Sequence, residues 1–385
     1  MTDQVRKIFT KRATVWPHDY QTVRAYKYFR SSYLISAILG YNFFPFTIFK
    51  SRFVRIIFTI YALSVSIGFS YLVLSYVKYI DRSPYVYIAA EYITTVILLL
   101  FMNADNRAQF LRSLELIDDK LHVDGSYYYR IQKITQVFVI IVILMRFFYS
   151  MAVCFSFKLN CDESPIIVFT SGFILIAVDA NQIPRLITFF MIKFRVSLLR
   201  KKVENLFQNT SISVIDTKDK RKSLLLYQDI YEDILDSVNI ISNQVDPFFL
   251  LSLVCSFPKI MLLLYNIIVL QKRGVPIIHL VALGLEAMQW ALIPCLPGIV
   301  FEMTRAHVDK MKLFLLKHNK NSTRNNHAIR TEIKEFLDYL EIRPCRYLLY
   351  RFIPVDLSLP VCLFHLCTTY LIVMIQFSHL FDDAA

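Results

Sequence analysis

The signatures of soluble chemistry are missing from this chain. Its seven glycines form no Gly-rich phosphate loop, and neither a G-x-S-x-G nucleophile turn nor an H-E-x-x-H pair occurs. The eight histidines are scattered, so no catalytic triad, metal set or cofactor motif can be named. Seven cysteines, at positions 154, 161, 255, 295, 345, 362 and 367, include no C-x-x-C and no metal-ligand spacing. Cys154 and Cys161 alone lie near an oxidising membrane edge, where a bridge competes with the simpler reading of free thiols. Absent too are the Asp-Arg-Tyr turn and Asn-Pro-x-x-Tyr helix end of G-protein-coupled receptors, the related halves of transporters, and any base-reading module for nucleic acid. The first thirty residues carry seven cations and no apolar core of signal-peptide type, so insertion is expected to begin at the first spanning helix.

What the chain has in excess is apolar surface. Of 385 residues 56% are hydrophobic, with 32 Phe and 23 Tyr, more than a soluble domain needs to build one core. The expected fold is therefore all-α, a polytopic membrane protein. Mostly apolar runs mark seven transmembrane helices near 54–80, 85–102, 134–157, 165–190, 247–270, 275–300 and 353–380. An eighth apolar stretch near 31–49 contains Pro45 and is flanked by Lys50, Arg52 and Arg55. It reads as an interfacial helix within a cytoplasmic N-terminal region, 1–53.

Lys and Arg set the orientation. The region up to Arg55 holds ten, and connections 103–133, 191–246 and 301–352 hold five, nine and eleven; the alternate connections hold one, one and two. The N-terminus is expected inside and the C-terminus outside, with a short extracellular tail at 381–385. The net charge of +13 then belongs to cytoplasmic loops facing anionic membrane lipid. Both sequons, at Asn209 and Asn321, fall on the inner side and should stay unmodified.

The two long inner connections, 191–246 and 301–352, are helical loops. Leu224, Tyr227, Tyr231, Ile234, Val238 and Ile241 recur every three or four residues, as do Ile333, Phe336, Leu337 and Leu340. Gln208 to Lys222 and Lys317 to Thr331 lack that periodicity and are expected as flexible loops.

The last apolar segment reads Thr369-Tyr370, five apolar residues, then Gln376-Phe377. At 100° per residue, His365, Thr369, Ile372, Gln376 and His379 fall in one stripe, with Tyr370 and Phe377 largely opposite. A glutamine in hydrocarbon needs a polar or wet neighbour, which either a water-filled path or an interhelical hydrogen bond supplies. The Thr-Tyr to Gln-Phe pattern resembles the seventh-helix signature of insect gustatory receptors. That resemblance implies a tetrameric, ligand-gated cation channel whose final helix lines the pore, with Gln376 at the gate and Tyr370 and Phe377 as packing residues. It implies as partners a small tastant, monovalent and divalent cations, and related receptor subunits in a homo- or heterotetramer, in the plasma membrane of a chemosensory neuron. Bitter or other noxious compounds are the favoured tastants, with sugar sensing and an odorant receptor of the same superfamily as alternatives. From another class, a receptor signalling through a cytoplasmic partner without conducting stays open.

Ionisable residues inside the spans are the remaining candidates. At about 1.5 Å per residue, Arg146 lies roughly 18 Å and Asp179 roughly 16 Å above the inner ends of their helices. A structural ion pair is the favoured reading, since lipid tolerates neither charge singly. Glu91, Tyr87 and Tyr92 on the second span, with His279, Glu286, Gln289 and Trp290 on the sixth, could line one outer cavity for a ligand. For each of these residues, packing competes with ligand contact.

Overall fold

The computed structural model describes residues 34–41, 52–76, 83–102, 105–123, 125–156, 165–208, 214–272, 274–321 and 327–382. After a short helical stretch at 34–38 come α1 (Arg52–Tyr76), α2 (Ser83–Phe101), α3 (Asp105–Leu121), α4 (Gly125–Ser156), α5 (Pro165–Ala180), α6 (Gln182–Gln208), α7 (Val214–Lys272), α8 (Ile277–Asn321) and α9 (His327–Ile342). A two-stranded hairpin, β1 (Leu348–Leu349) and β2 (Ile353–Pro354), leads into α10 (Ser358–Asp382). Among the described residues six apolar spans, on α1, α4, α5–α6, α7, α8 and α10, are long enough to cross a bilayer, and the shorter apolar stretch Tyr85–Phe101 on α2 makes the seventh.

Burial ranks these spans. The apolar window on α5–α6 is 83% buried, against 22% on α1 and on α4, so α5–α6 is the axis around which the bundle packs and α1 and α4 turn broad faces to lipid. The window on α10 is only 11% buried, the least of the six. The axial helix breaks at Asn181: Pro184 has no N–H to continue the α5 ladder and its ring would crowd the carbonyl of Ala180, so α6 starts afresh at Gln182.

Several segments depart from the sequence reading. Spans four, five and six do not end at the membrane: α6 runs to Gln208, α7 is one helix of 59 residues, and α8 one of 45. Helix occupies 214–222, 317–321 and 327–331, so the two expected flexible loops shrink; what is left of them, 209–213 and 322–326, lies outside the described residues. The reason is tertiary. Leu224, Tyr231, Ile234, Val238 and Ile241 of α7 are buried, Tyr231 meets Phe336 and Tyr339 of α9, and Ile333, Phe336, Leu337 and Leu340 of α9 are buried in return. Arg221 Nε reaches Glu332 Oε1 at 2.6 Å, and Arg343 Nη2 reaches Asp236 Oδ1 at 2.8 Å. Cross-helix pairing thus recruits polar residues that lack an apolar stripe of their own.

The third span begins earlier than 134, at Gly125. Connection 103–133 contains α3, an element with no counterpart in the sequence reading. Its Phe110, Leu111, Leu114, Ile117 and Leu121 are buried, a stripe spaced for a helix and laid against α7. Of the expected interfacial helix at 31–49, only 34–41 is described. There Leu34 and Ile38 are exposed, while Ser36, Ala37, Leu39 and Tyr41 are buried, and Tyr92 Oη donates to the Leu39 carbonyl at 2.6 Å.

The hairpin positions α10. Its register pairs Leu348 with Pro354 and Leu349 with Ile353, across a turn in which Tyr350 and Arg351 take φ of 49° and 66°. The hairpin is moored to α7 by Asp246, which accepts from the Tyr347 hydroxyl and, at 3.0 Å, from the Tyr350 amide. Burial, then the bond to Asp246, pushes the Tyr347 phenol well above its usual range. Beyond the hairpin, Val355 abuts Gly298 of α8 so closely that a Cβ at 298 would lie 2.8 Å from Val355 Cγ1. Pro354 and Pro360 flank the start of α10: Asp356 accepts from the Ser358 amide at 2.9 Å, an N-cap, and Pro360 falls in the first turn where its missing N–H is harmless.

Candidate functional site

Two groups of residues concentrate unusual chemistry: a buried charge cluster in the bundle and the outward stripe of α10. Five helices build the first. From α4, Arg146 donates through Nε to Asp179 Oδ2 at 2.6 Å and through Nη2 to Asp179 Oδ1 at 3.0 Å, a bidentate pair with α5 in which both side chains are buried. Arg146 Nη1 also lies 3.6 Å from Glu286 Oε1 of α8. One helical turn on, Gln289 Nε2 donates to Asp179 Oδ2 at 3.2 Å, and Trp290 Nε1 donates to Glu286 Oε1 at 3.2 Å.

Trp290 carries the cluster across to a second pair. Its ring centroid lies 4.5 Å from Arg146 Cζ and 4.2 Å from Lys259 Nζ of α7. Lys259 in turn bonds the buried Glu91 carboxylate of α2. Two cations, Arg146 and Lys259, thus face three carboxylates, Glu91, Asp179 and Glu286, leaving one formal negative charge among these five. In low dielectric such groups survive as ions only when mutually paired, so the cluster ties α2, α4, α5, α7 and α8 at one level.

The geometry redistributes the sequence candidates. Glu91, Glu286, Gln289 and Trp290 join the same cluster as Arg146 and Asp179. Tyr92 is buried with its ring edge-on to Tyr41 at 5.5 Å, Tyr87 is exposed, and His279 is half-buried near the start of α8. Lys259, the partner that neutralises Glu91, lies within the apolar run 247–270, but the sequence does not show the pair. Depth and helix order alone do not reveal which face of α7 it occupies.

Three further buried polar sites are not among the sequence candidates. Arg195 of α6 donates to Asp118 Oδ2 of α3 at 2.6 Å and to the Tyr128 hydroxyl at 2.7 Å. Asp246 holds the hairpin, as described above. Arg185 of α6 is buried beside Asn181 and Ser252. The periodicity of 105–121 would have revealed α3 and with it Asp118.

The second group lies on α10. The side facing the bundle is the stripe Leu363 and Cys367, both buried, then Leu371, with Tyr370 edge-on to Phe257 of α7 at 5.6 Å. On the opposite side His365, Thr369, Ile372 and Gln376 are all exposed, Ile372 at 57%. The Thr369 hydroxyl donates to the His365 carbonyl at 2.9 Å, which leaves its methyl and the neighbouring Gln376 amide to whatever covers this face. The side chains of Phe377 and His379 lie outside the described residues, as does the chain after Asp382.

A seven-span helical bundle with a buried ionic centre, and a last helix carrying a polar stripe left exposed among the described residues, defines a polytopic membrane receptor or channel. The chain belongs to the 7tm chemosensory receptor family, whose sequence model matches residues 29–381. Among solved structures it is similar to the insect olfactory receptor OR5 from Machilis hrabei, at 14% identity and a TM-score of 0.59, covering 91% of this chain and 98% of that one. That likeness is one of fold. No curated protein sequence matches it.

Proposed function

We propose that this chain is a gustatory receptor: a ligand-gated, non-selective cation channel of a chemosensory neuron's plasma membrane, opened directly by a small tastant of the bitter or noxious class. The N-terminus and helical extensions lie inside and the C-terminus outside. Four subunits, identical or related, bring their α10 helices together around the pore, with Gln376 near the gate and His365, Thr369, Ile372 and His379 along the wall. Tyr370 and Phe377 pack behind them.

The observation that carries this reading is the uncovered polar stripe of α10. A helix long enough to span, apolar on the side that touches its own bundle and polar on the other, is costly in lipid and stable against water or other copies. The Thr369-Tyr370 to Gln376-Phe377 pattern supports the gustatory over the odorant branch. The tastant enters among α1 to α8 on the outer side, near Tyr87 and His279, above the charge cluster of Glu91, Glu286, Gln289 and Trp290. By linkage it opens the pore only as far as it prefers the open packing.

The test is whole-cell recording from cells expressing this chain alone and with related subunits, during a screen of bitter compounds. Evoked cation current that persists when G-protein cycling is blocked is the expected result. Surface-expressed receptor that binds tastant and signals only through the blocked pathway would overturn conduction in favour of a cytoplasmic-partner receptor.

A further inference from the structure

From the bundle into the inner connections, α6 and α8 run side by side in one direction, and three contacts fix their register. Phe189 meets Phe301 at 5.9 Å between ring centroids, Lys193 Nζ donates to Met303 Sδ at 3.4 Å, and Phe207 meets Phe314 at 6.0 Å. Between the second and third of these rungs, Arg200 and Lys201 of α6 come level with His307 and Lys310 of α8. Arg200 follows Lys193 by two helical turns, and His307 follows Met303 by one, so each pair shares a face of its helix. Basic groups therefore line the strip between α6 and α8 from both sides.

Few carboxylates answer them. Arg195, Arg305 and Lys312, on the same stretches of helix, face Asp118, Glu302 and Glu341. Arg200 lies 3.4 Å from Glu204, while Lys193, Lys201 and Lys310 form no ion pair among the described residues. Asp309, next to Lys310, acts on Tyr231 and Cys345, on the side of α7 and α9. That leaves Lys193, Arg200, Lys201 and Lys310 against the single carboxylate of Glu204. The half-buried His307 registers the imbalance: burial, then the positive fields of Arg200, Lys193, Lys310 and Lys201, hold its imidazole below the usual range.

Like charges brought together from two helices repel, and a multivalent anion that reaches several of them at once turns the repulsion into attraction. Clustered phosphates fit this arrangement better than a lone carboxylate, because each presents several acceptor oxygens and lysines meet them as mobile point charges. We propose that the strip between α6 and α8 binds a ligand carrying two or more phosphates, held by Lys193, Arg200, Lys201 and Lys310 around His307. Two sources offer that chemistry, a soluble inositol polyphosphate and the headgroup of a polyphosphoinositide. On the orientation proposed above both reach this strip, which begins at the inner end of the fourth and sixth spans. Bound there, the ligand fastens the inner extension of α6 to that of α8, apart from both groups of residues described earlier.

The test uses the full-length receptor in nanodiscs. In phosphatidylcholine discs, binding of inositol trisphosphate is followed by calorimetry; in discs containing phosphatidylinositol bisphosphate, the thermal midpoint is compared with that in phosphatidylcholine alone. Saturable binding of the soluble probe, or a raised midpoint with the lipid, is the expected result, and the stronger arm identifies the source. Lys201→Gln combined with Lys310→Gln, both exposed and so harmless to folding, should weaken that binding about tenfold, the weight of one charge-assisted hydrogen bond. Lys222→Gln combined with Lys320→Gln removes the same exposed charge elsewhere and should change nothing. Failure of both probes, a double variant at 201 and 310 that binds like wild type, or an equal loss from the double variant at 222 and 320 would each overturn the proposal. Neither tastant nor current enters the measurement, so a receptor that does not conduct leaves this result intact.

Discussion

Arg146 and Lys259 address the same indole: the guanidinium carbon of one and the ammonium of the other lie 4.5 Å and 4.2 Å from the Trp290 ring centroid. Two cations so near one ring are tolerable because each has its own carboxylate, Asp179 for Arg146 and Glu91 for Lys259. The cluster is therefore all-or-none.

Removing one member should do more damage than removing two. Arg146→Met or Asp179→Leu alone strands a buried charge and should cost about 3–5 kcal/mol, read as lost monodisperse receptor and a lowered thermal midpoint. The double variant should recover much of that loss, since apolar groups replace a matched pair. A double variant as unstable as the sum of the singles would show that the pair contributes nothing jointly.

If α10 lines a pore as proposed above, Gln376→Ala should change ion selectivity or basal leak while surface expression stays intact. Reversal potentials under asymmetric sodium and calcium, with surface biotinylation as control, measure both. Unchanged currents would remove Gln376 from the pore.

The start of α10 depends on the Asp356 cap. Hydrogen bonds from Ser358 hold the Asp356 carboxyl below its usual range. A depressed folded-state value means the cap is fully effective above the ordinary carboxylate range near pH 4 and is lost as pH falls through the lower folded value. At neutral pH, Asp356→Ala should lower stability by about 1 kcal/mol, the usual weight of an N-cap. In acid the two proteins should converge. A gap in thermal midpoint that stays constant from pH 7 to pH 3 would rule the cap out as its cause.

Gly298→Ala should force α8 and the segment before α10 apart, because the added methyl would meet the stiff β-branched Val355 at 2.8 Å. Overpacking of this kind costs about 1–3 kcal/mol. Val355→Ala placed in the same chain should restore the midpoint, and failure of that rescue would put the strain elsewhere.

Membership in this receptor family was legible in nine residues at the end of the chain and in seven apolar runs, because bilayer thickness imposes length and composition on every span. Depth arithmetic placed Arg146 and Asp179 at one level, and in the fold they meet. The same arithmetic could not show that Glu286, Gln289 and Trp290 share that cluster, or that Lys259 neutralises Glu91, since partner choice depends on how each helix is rotated about its axis. Polar sequence at 214–222 read as loop because its helical conformation is secured across space, by pairs such as Arg221 with Glu332. Helix α3 differs: its apolar stripe is present in the sequence, but Arg107, Arg112, Glu115, Asp118, Asp119 and Lys120 interleave with it and give the connection the composition of a solvated loop between two spans.

The 59 residues of α7 make a rod of about 90 Å at the helical rise. Mechanically that is a lever crossing the whole molecule, and a tilt of about 5° about one end sweeps the other by about 8 Å on that length. Pro247 and Pro258 lie inside it, each deleting one backbone hydrogen bond, so flexure concentrates at two points. Those points adjoin Asp246, which moors the hairpin ahead of α10, and Lys259, which enters the charge cluster. The joints of the lever are thus bolted to the two parts of the molecule that a gating motion would have to move.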